Sequence, residues 1–210
     1  MKLPEKRRLL PESTMVFAVS SRRAVSLLGK EPLDMLEPLL MGHVRRALLG
    51  GESGVFGRDG LISLDSGTTA TALLSLLVDK PVTIYTTNGY ACRFTGELAA
   101  KVVVIGGDFN PVTCSLTGPM VESALRELYF DRAFIGVNAV DEDRGIMTPG
   151  YPEAIKKRIV MQNSQASYVL ADSSKFHVFS NVKVCDLEGF TVISDRRDSK
   201  IGERVKMITA

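Results

Sequence analysis

The sequence predicts an α/β domain, a mainly parallel β-sheet flanked by helices, preceded by a poorly organised N-terminal segment. Three observations carry this. From Leu61 onward, short apolar β-type runs alternate with stretches at helical spacing, the pattern of βαβ units whose sheet is covered on both faces. Residues 1–60 lack that alternation, because Pro4, Pro11, Pro32 and Pro38 interrupt any long helix. The 210 residues, 45% hydrophobic and 24% charged, are enough chain to bury one real core.

The chain divides near Leu61, into a segment 1–60 and a domain 61–210. In the first part, Ser21–Lys30 and Leu39–Leu49 have helical character, the second through Leu39, Leu40, His43, Val44, Ala47 and Leu48. Gly50-Gly51-Glu52-Ser53-Gly54 reads as a flexible joint. Strands are then expected at Leu61–Leu64, Val82–Thr86, Lys101–Ile105, Arg132–Val137, Ala166–Ala171 and Gly189–Ile193. The intervening helices are expected at about Thr69–Leu77, Gly89–Leu98, Pro119–Tyr129 and Tyr151–Gln162.

Composition narrows the function classes. Gly 18 and Pro 9 rule out collagenous and low-complexity chains. No apolar run approaches the roughly 18–20 residues that span a bilayer. The basic start Met1–Arg8 leads into no apolar stretch with a small-residue cleavage site, so a cytoplasmic protein is the expectation. Cys92, Cys114 and Cys185 lack C-x-x-C spacing, and only His43 and His177 could join them. They read as structural thiols in a reducing compartment, with no metal or cofactor site expected. Residues 1–60 carry 10 Lys/Arg against 7 Asp/Glu, a surplus too small to argue for nucleic acid by itself.

In an open parallel sheet, ligands sit beyond the carboxyl ends of the strands. The loop Asp65-Ser66-Gly67-Thr68-Thr69 ends a strand and opens a helix. Its small residues admit an anion to backbone amides, its hydroxyls add donors, and the helix N-terminus adds positive potential, which suits a phosphate. An ordinary helix cap with a glycine turn would look the same in isolation. Thr86-Thr87-Asn88-Gly89 and Gly106-Gly107-Asp108 end the next two strands with turn-forming residues. Charge comes from Glu153-Ala154-Ile155-Lys156-Lys157-Arg158 on a helix and from Lys175, within Asp172-Ser173-Ser174-Lys175-Phe176. The Lys156-Lys157-Arg158 run reads as a solvated helix face, and Glu153 and Lys157 are spaced to pair at i and i+4.

Taken in order, Asp65-Ser66-Gly67-Thr68-Thr69, Thr87-Asn88, Gly106-Gly107, Gly118, Asp131–Gly136, Gly145, Glu153-Ala154, Lys157-Arg158, Met161, Ser164 and Asp172–Phe176 form an ordered set. That set resembles the effector-sensing domain of DeoR-type bacterial transcriptional regulators, from about Leu61 to Asp195. The resemblance implies a fold similar to ribose-5-phosphate isomerase and the CoA transferases, and a phosphorylated sugar as effector. It implies ligand contacts at Asp65, Ser66, Gly67, Thr68, Thr69, Asn88, Gly106, Glu153, Lys157 and Lys175, with no catalytic residue. It also implies operator DNA as a partner and a homo-oligomeric assembly. Family members usually begin with a winged helix-turn-helix. Here Val19-Ser20-Ser21-Arg22-Arg23 and Val44–Gly51 are only echoes of it, so the N-terminal segment reads as atypical or degenerate. The alternative is a sugar-phosphate isomerase of the same fold, with Asp141-Glu142-Asp143 in an acidic role, although the isomerases' own motifs are missing.

Overall fold

The computed structural model describes residues 60–94 and 96–209. The helical segments Ser21–Lys30 and Leu39–Leu49 and the joint Gly50–Gly54 lie outside them. In chain order the structure runs β1 (Leu61–Leu64), α1 (Thr68–Leu77), β2 (Thr83–Thr86), β3 (Lys101–Val104), β4 (Asp108–Asn110) and β5 (Ser115–Thr117). It continues with α2 (Pro119–Arg126), β6 (Phe130–Gly136), β7 (Ala139–Asp141), β8 (Gly145–Thr148), α3 (Tyr151–Gln162) and β9 (Ser164–Leu170). It ends with β10 (Val182–Cys185), β11 (Thr191–Ile193), α4 (Ser199–Arg204) and β12 (Lys206–Ile208).

Seven strands form one sheet in the order β12-β11-β9-β6-β1-β2-β3, with every neighbouring pair parallel. This is the expected fold class. Both faces are apolar because side chains alternate along each strand. Phe134, Leu170 and Ile193 join Ile62, Leu64 and Ile84 beneath the α1 residues Ala70, Leu73, Leu74 and Leu77. Their neighbours Ala133, Ile135, Val169 and Val192 point the other way, under Val121 and Leu125 of α2 and Ile159 and Val160 of α3. The Phe134 and Tyr168 rings stack across β6 and β9 with centroids 5.2 Å apart.

One expected helix is corrected. Over Gly89–Leu98 the chain makes only a five-residue 3-10 turn, Gly89–Arg93. The Asn88 side chain opens it by accepting from the Tyr90 amide, and Ala91 is its one buried residue. Without an apolar stripe to dock, no longer helix is held against the core. Six short strands escaped the sequence reading. They are the β4–β5 hairpin, the β10-β8-β7 sheet and β12, which extends the main sheet beyond β11.

Candidate functional site

The chain leaves β1 for β2 and β3 on one side and returns through β6 on the other, so the order of the sheet reverses between β1 and β6. Strand ends diverge at such a point and leave a crevice for ligand. Asp65 stands there, immediately after β1. Its Oδ2 accepts from the Gly136 amide at the end of β6 (3.0 Å) and from Lys157 Nζ on α3 (2.5 Å). The two side chains are 8% and 6% exposed, so this is a buried ion pair.

Beside it lies a second buried group. Lys156 Nζ donates to Ser115 Oγ (2.7 Å), the Leu116 carbonyl (3.0 Å) and Thr87 Oγ1 (3.1 Å), and it pairs with Glu153 Oε2 at 3.1 Å. Ser115 Oγ donates to Glu153 Oε1 and accepts from Ser66 Oγ, each at 2.8 Å. Glu153 also approaches Lys157, at 3.9 Å, but the shorter partner of Lys157 is Asp65. Two carboxylates and two ammonium groups are thus brought together beneath the strand ends. Burial pushes the Asp65 carboxyl up, but the Lys157 and Lys156 charges, with the hydrogen bonds from Lys157 and the Ser66 amide, hold the group below its ordinary value. Burial pulls Lys156 below the usual lysine value, against the opposing pull of Asp65 and Glu153.

The reading of Lys156-Lys157-Arg158 as a solvated face is therefore overturned for the first two. Glu153, Lys156, Lys157 and Val160 share the buried stripe of α3, because spacings of three and four return to one face. Lys156, Thr87 and Ser115 are the polar residues of this network that the sequence-based candidate set lacks. The i, i+3, i+4, i+7 run from Glu153 to Val160 was the available signal for Lys156. Ser115 had none, since only the β4–β5 hairpin carries it to the site.

The Asp65–Thr69 turn splits into inner and outer parts. Ser66 is buried with its hydroxyl committed to Ser115. Gly67 is the N-cap of α1 and offers no side-chain cap, while Thr68 is exposed and Thr69 half-buried. The leading amides of α1 therefore lack a side-chain acceptor among the described residues, at the positive end of a ten-residue helix. Among the described residues, an added Cβ at Gly67 would meet nothing within 4 Å, so they leave the space above the turn open. Asn88 is fully buried and braces this turn. Its Nδ2 donates to Thr71 Oγ1 at 2.8 Å, and its Oδ1 accepts from the Tyr90 amide at 2.9 Å.

Among the described residues, an added Cβ at Gly106, just past β3, would also meet nothing within 4 Å. Lys175 lies in a short 3-10 turn, Ser173–Lys175, two strands from β1 on the same carboxyl edge, and its ammonium has no hydrogen bond or ion pair among the described residues. Asp195, at the end of β11, holds that turn by accepting from the Ser173 amide (2.6 Å) and hydroxyl (3.0 Å). A cavity of about 20 Å³ among Asp65, Thr86, Thr87, Lys156 and Lys157 has room for about one water. Nothing larger than about one water fits within this buried network.

A parallel sheet with polar groups gathered at its switch point is the frame of an α/β ligand-binding domain. Residues 55–196 match the profile of the family described as the DeoR C-terminal sensor domain, and the chain belongs to that family. It is 31% identical over 134 residues to the putative aga operon transcriptional repressor of Escherichia coli O157:H7, covering 63% of this chain and 50% of the relative. It is 28% identical over 138 residues to the L-fucose operon activator of Haemophilus influenzae, covering 65% and 55%. The chain thus spans about half the length of the curated relatives it matches. Both relatives carry the names of transcriptional regulators. The ribose 5-phosphate isomerase of Plasmodium falciparum is similar in structure over 67% of this chain and 53% of its own, with a TM-score of 0.45 at 12% identity. Among the described residues, no helix is long and apolar enough to cross a membrane.

Proposed function

We propose that the described domain senses a phosphorylated sugar at the switch point between β1 and β6 and thereby sets the operator affinity of a sugar-operon regulator. The observation that carries this is the pairing of an open, uncapped α1 N-terminus at Gly67 with the buried Asp65–Lys157 and Glu153–Lys156 groups directly beneath it. The amides of α1 with Thr68 and Thr69 suit a phosphate dianion, and Lys175 supplies a positive charge from the carboxyl end of β9, two strands away. The buried carboxylates and ammonium groups already balance, so a dianion placed among them would go uncompensated. The phosphate belongs at the amides, and the sugar hydroxyls belong towards Asp65 and Lys157. Ser66 and Asn88 shape the turn from below, and Gly106 leaves room at the next strand end.

Effector action is then a population shift. The ligand binds one arrangement of the domain better, and linkage changes DNA affinity by the same free energy. Operator DNA and a second copy of the chain are the partners on this reading. A thermal-shift screen against sugar phosphates tests it, since a ligand at 100 times its Kd adds about 2.7 kcal/mol of stability. A stabilising sugar phosphate supports the reading, and a full panel of pentose and hexose phosphates without effect would remove it.

Two further outcomes are expected. Pentose and hexose phosphates are bound without interconversion, because Asp141 spends its Oδ1 on the Asp143 and Arg144 amides (3.2 and 3.0 Å) and Glu142 is held by His177 and Lys200. Turnover that disappears in Glu142→Gln or Asp143→Asn would restore the isomerase reading. With only echoes of a recognition helix in residues 1–60, duplex binding by this chain is expected to be weak and salt-sensitive. Nanomolar binding of a specific operator in physiological salt would overturn that.

A further inference from the structure

His177 stands outside the effector site, yet its surroundings connect it to the turn bearing Lys175. Its Nδ1 lies 2.7 Å from Glu142 Oε2 in the β7–β8 turn, and its Nε2 lies 2.8 Å from Asp198 Oδ2, the N-cap of α4. Its backbone amide donates to the Val140 carbonyl at 2.8 Å, and its φ of 55° is one that a side chain seldom adopts without support. The β7–β8 turn also meets the loop beyond His177, where the Arg144 guanidinium sits 3.9 Å from the centre of the Phe179 ring. A neutral imidazole has one N–H. Only the imidazolium can donate to both carboxylates, and the neutral ring would turn a lone pair towards one of them.

We infer that His177 is a pH-sensitive latch that joins the β7–β8 turn to the N-terminus of α4 and steadies the turn bearing Lys175. The charged groups at the ring are Asp141 at the end of β7, Glu142 just past it and Asp198 before α4, with the Lys200 ammonium paired to Glu142. The carboxylates outnumber the ammonium groups, which favours the imidazolium. Hydrogen bonds to Asp198 and Glu142 raise the His177 pKa, while the Lys200 contact first, then the Glu142 backbone and His177, hold Glu142 down at about 2. The sign follows. Glu142 and Asp198 stay ionised through neutral pH, so the latch is whole below the ordinary histidine value of 6.5 and opens as pH rises through the raised folded value. Asp195 holds the turn at Ser173, and the latch holds the chain just beyond it, with Lys175 between.

The effect on ligand rests on the phosphate reading above; the latch itself does not. Proton NMR of the full chain, with the His177 resonance assigned by its loss in His177→Gln, should give an imidazole pKa above 6.5. In Glu142→Gln and Asp198→Asn that pKa should move back towards 6.5. Hydrogen exchange across Ser173–Phe179 should quicken as pH rises through that value, once corrected for intrinsic rates, and should lose this step in His177→Gln. Half-exposed pairs are worth little, so inorganic phosphate binding by the parent should weaken about two- to fivefold across the same transition. A His177 that titrates at 6.5 and ignores both substitutions overturns the latch. An intact latch with no phosphate binding at any pH would instead overturn the effector site.

Discussion

Lys157→Met is expected to cost about 3–5 kcal/mol of folding stability, because it leaves the buried Asp65 carboxylate without its closest cation. The double variant Asp65→Asn/Lys157→Met should recover most of that loss, since asparagine can still accept the Gly136 amide and carries no charge to leave unpaired. Urea midpoints of the parent, the two single variants and the double variant form the cycle that checks this. Acid gives an independent handle. The Asp65 pKa is lowered in the folded protein, so the pair's contribution is present above the ordinary value of 3.8 and is lost as pH falls through the folded value. The gap between parent and Lys157→Met should therefore narrow on acidification, as the stranded carboxyl in the variant takes up a proton. A single variant within about 1 kcal/mol of the parent at neutral pH would show that the pair is not buried as described.

Gly67→Val should leave the fold nearly intact and weaken sugar-phosphate binding by about a hundredfold or more. The backbone there has φ −91°, which valine tolerates, and an added Cβ meets nothing within 4 Å among the described residues. It projects into the space through which a phosphate would reach the α1 amides, so several charge-assisted hydrogen bonds are lost together. Lys175→Ala should cost roughly ten- to hundredfold, the value of one such bond, with stability unchanged because the ammonium has no partner among the described residues. Calorimetric titration alongside thermal melting separates binding from folding. Normal binding by Gly67→Val would move the phosphate away from this turn.

The sheet was legible because β1, β2, β3, β6, β9 and β11 contain short apolar runs, and such runs alternating with helices leave few other arrangements. The β4–β5 hairpin and β7, β8 and β10 were not, since three or four residues carry no periodicity and are held by tertiary contacts. The helix expected over Gly89–Leu98 shortens to a 3-10 turn because the chain after Asn88 has no apolar stripe to dock. At the site, Asp65 and the turn after it were readable from their place at a strand end. Lys156 was read as solvated because composition outweighed spacing. On α3, the stripe that buries Val160 also buries Lys156 and Lys157, and their charge is met by Asp65 and Glu153 from elsewhere in the sequence. Ser115 shows the limit most plainly, because a hydroxyl that ties Ser66, Glu153 and Lys156 together leaves no trace in local sequence.

The central claim is that a phosphate is recognised at the open N-terminus of α1. Its most direct test is a pair of calorimetric titrations of the parent chain, with one sugar in its phosphorylated and unphosphorylated forms, the sugar being the strongest stabiliser in the thermal-shift screen. The account predicts saturable binding of the phosphorylated form and at least tenfold weaker binding of the free sugar. Equal affinity for the two forms would contradict it.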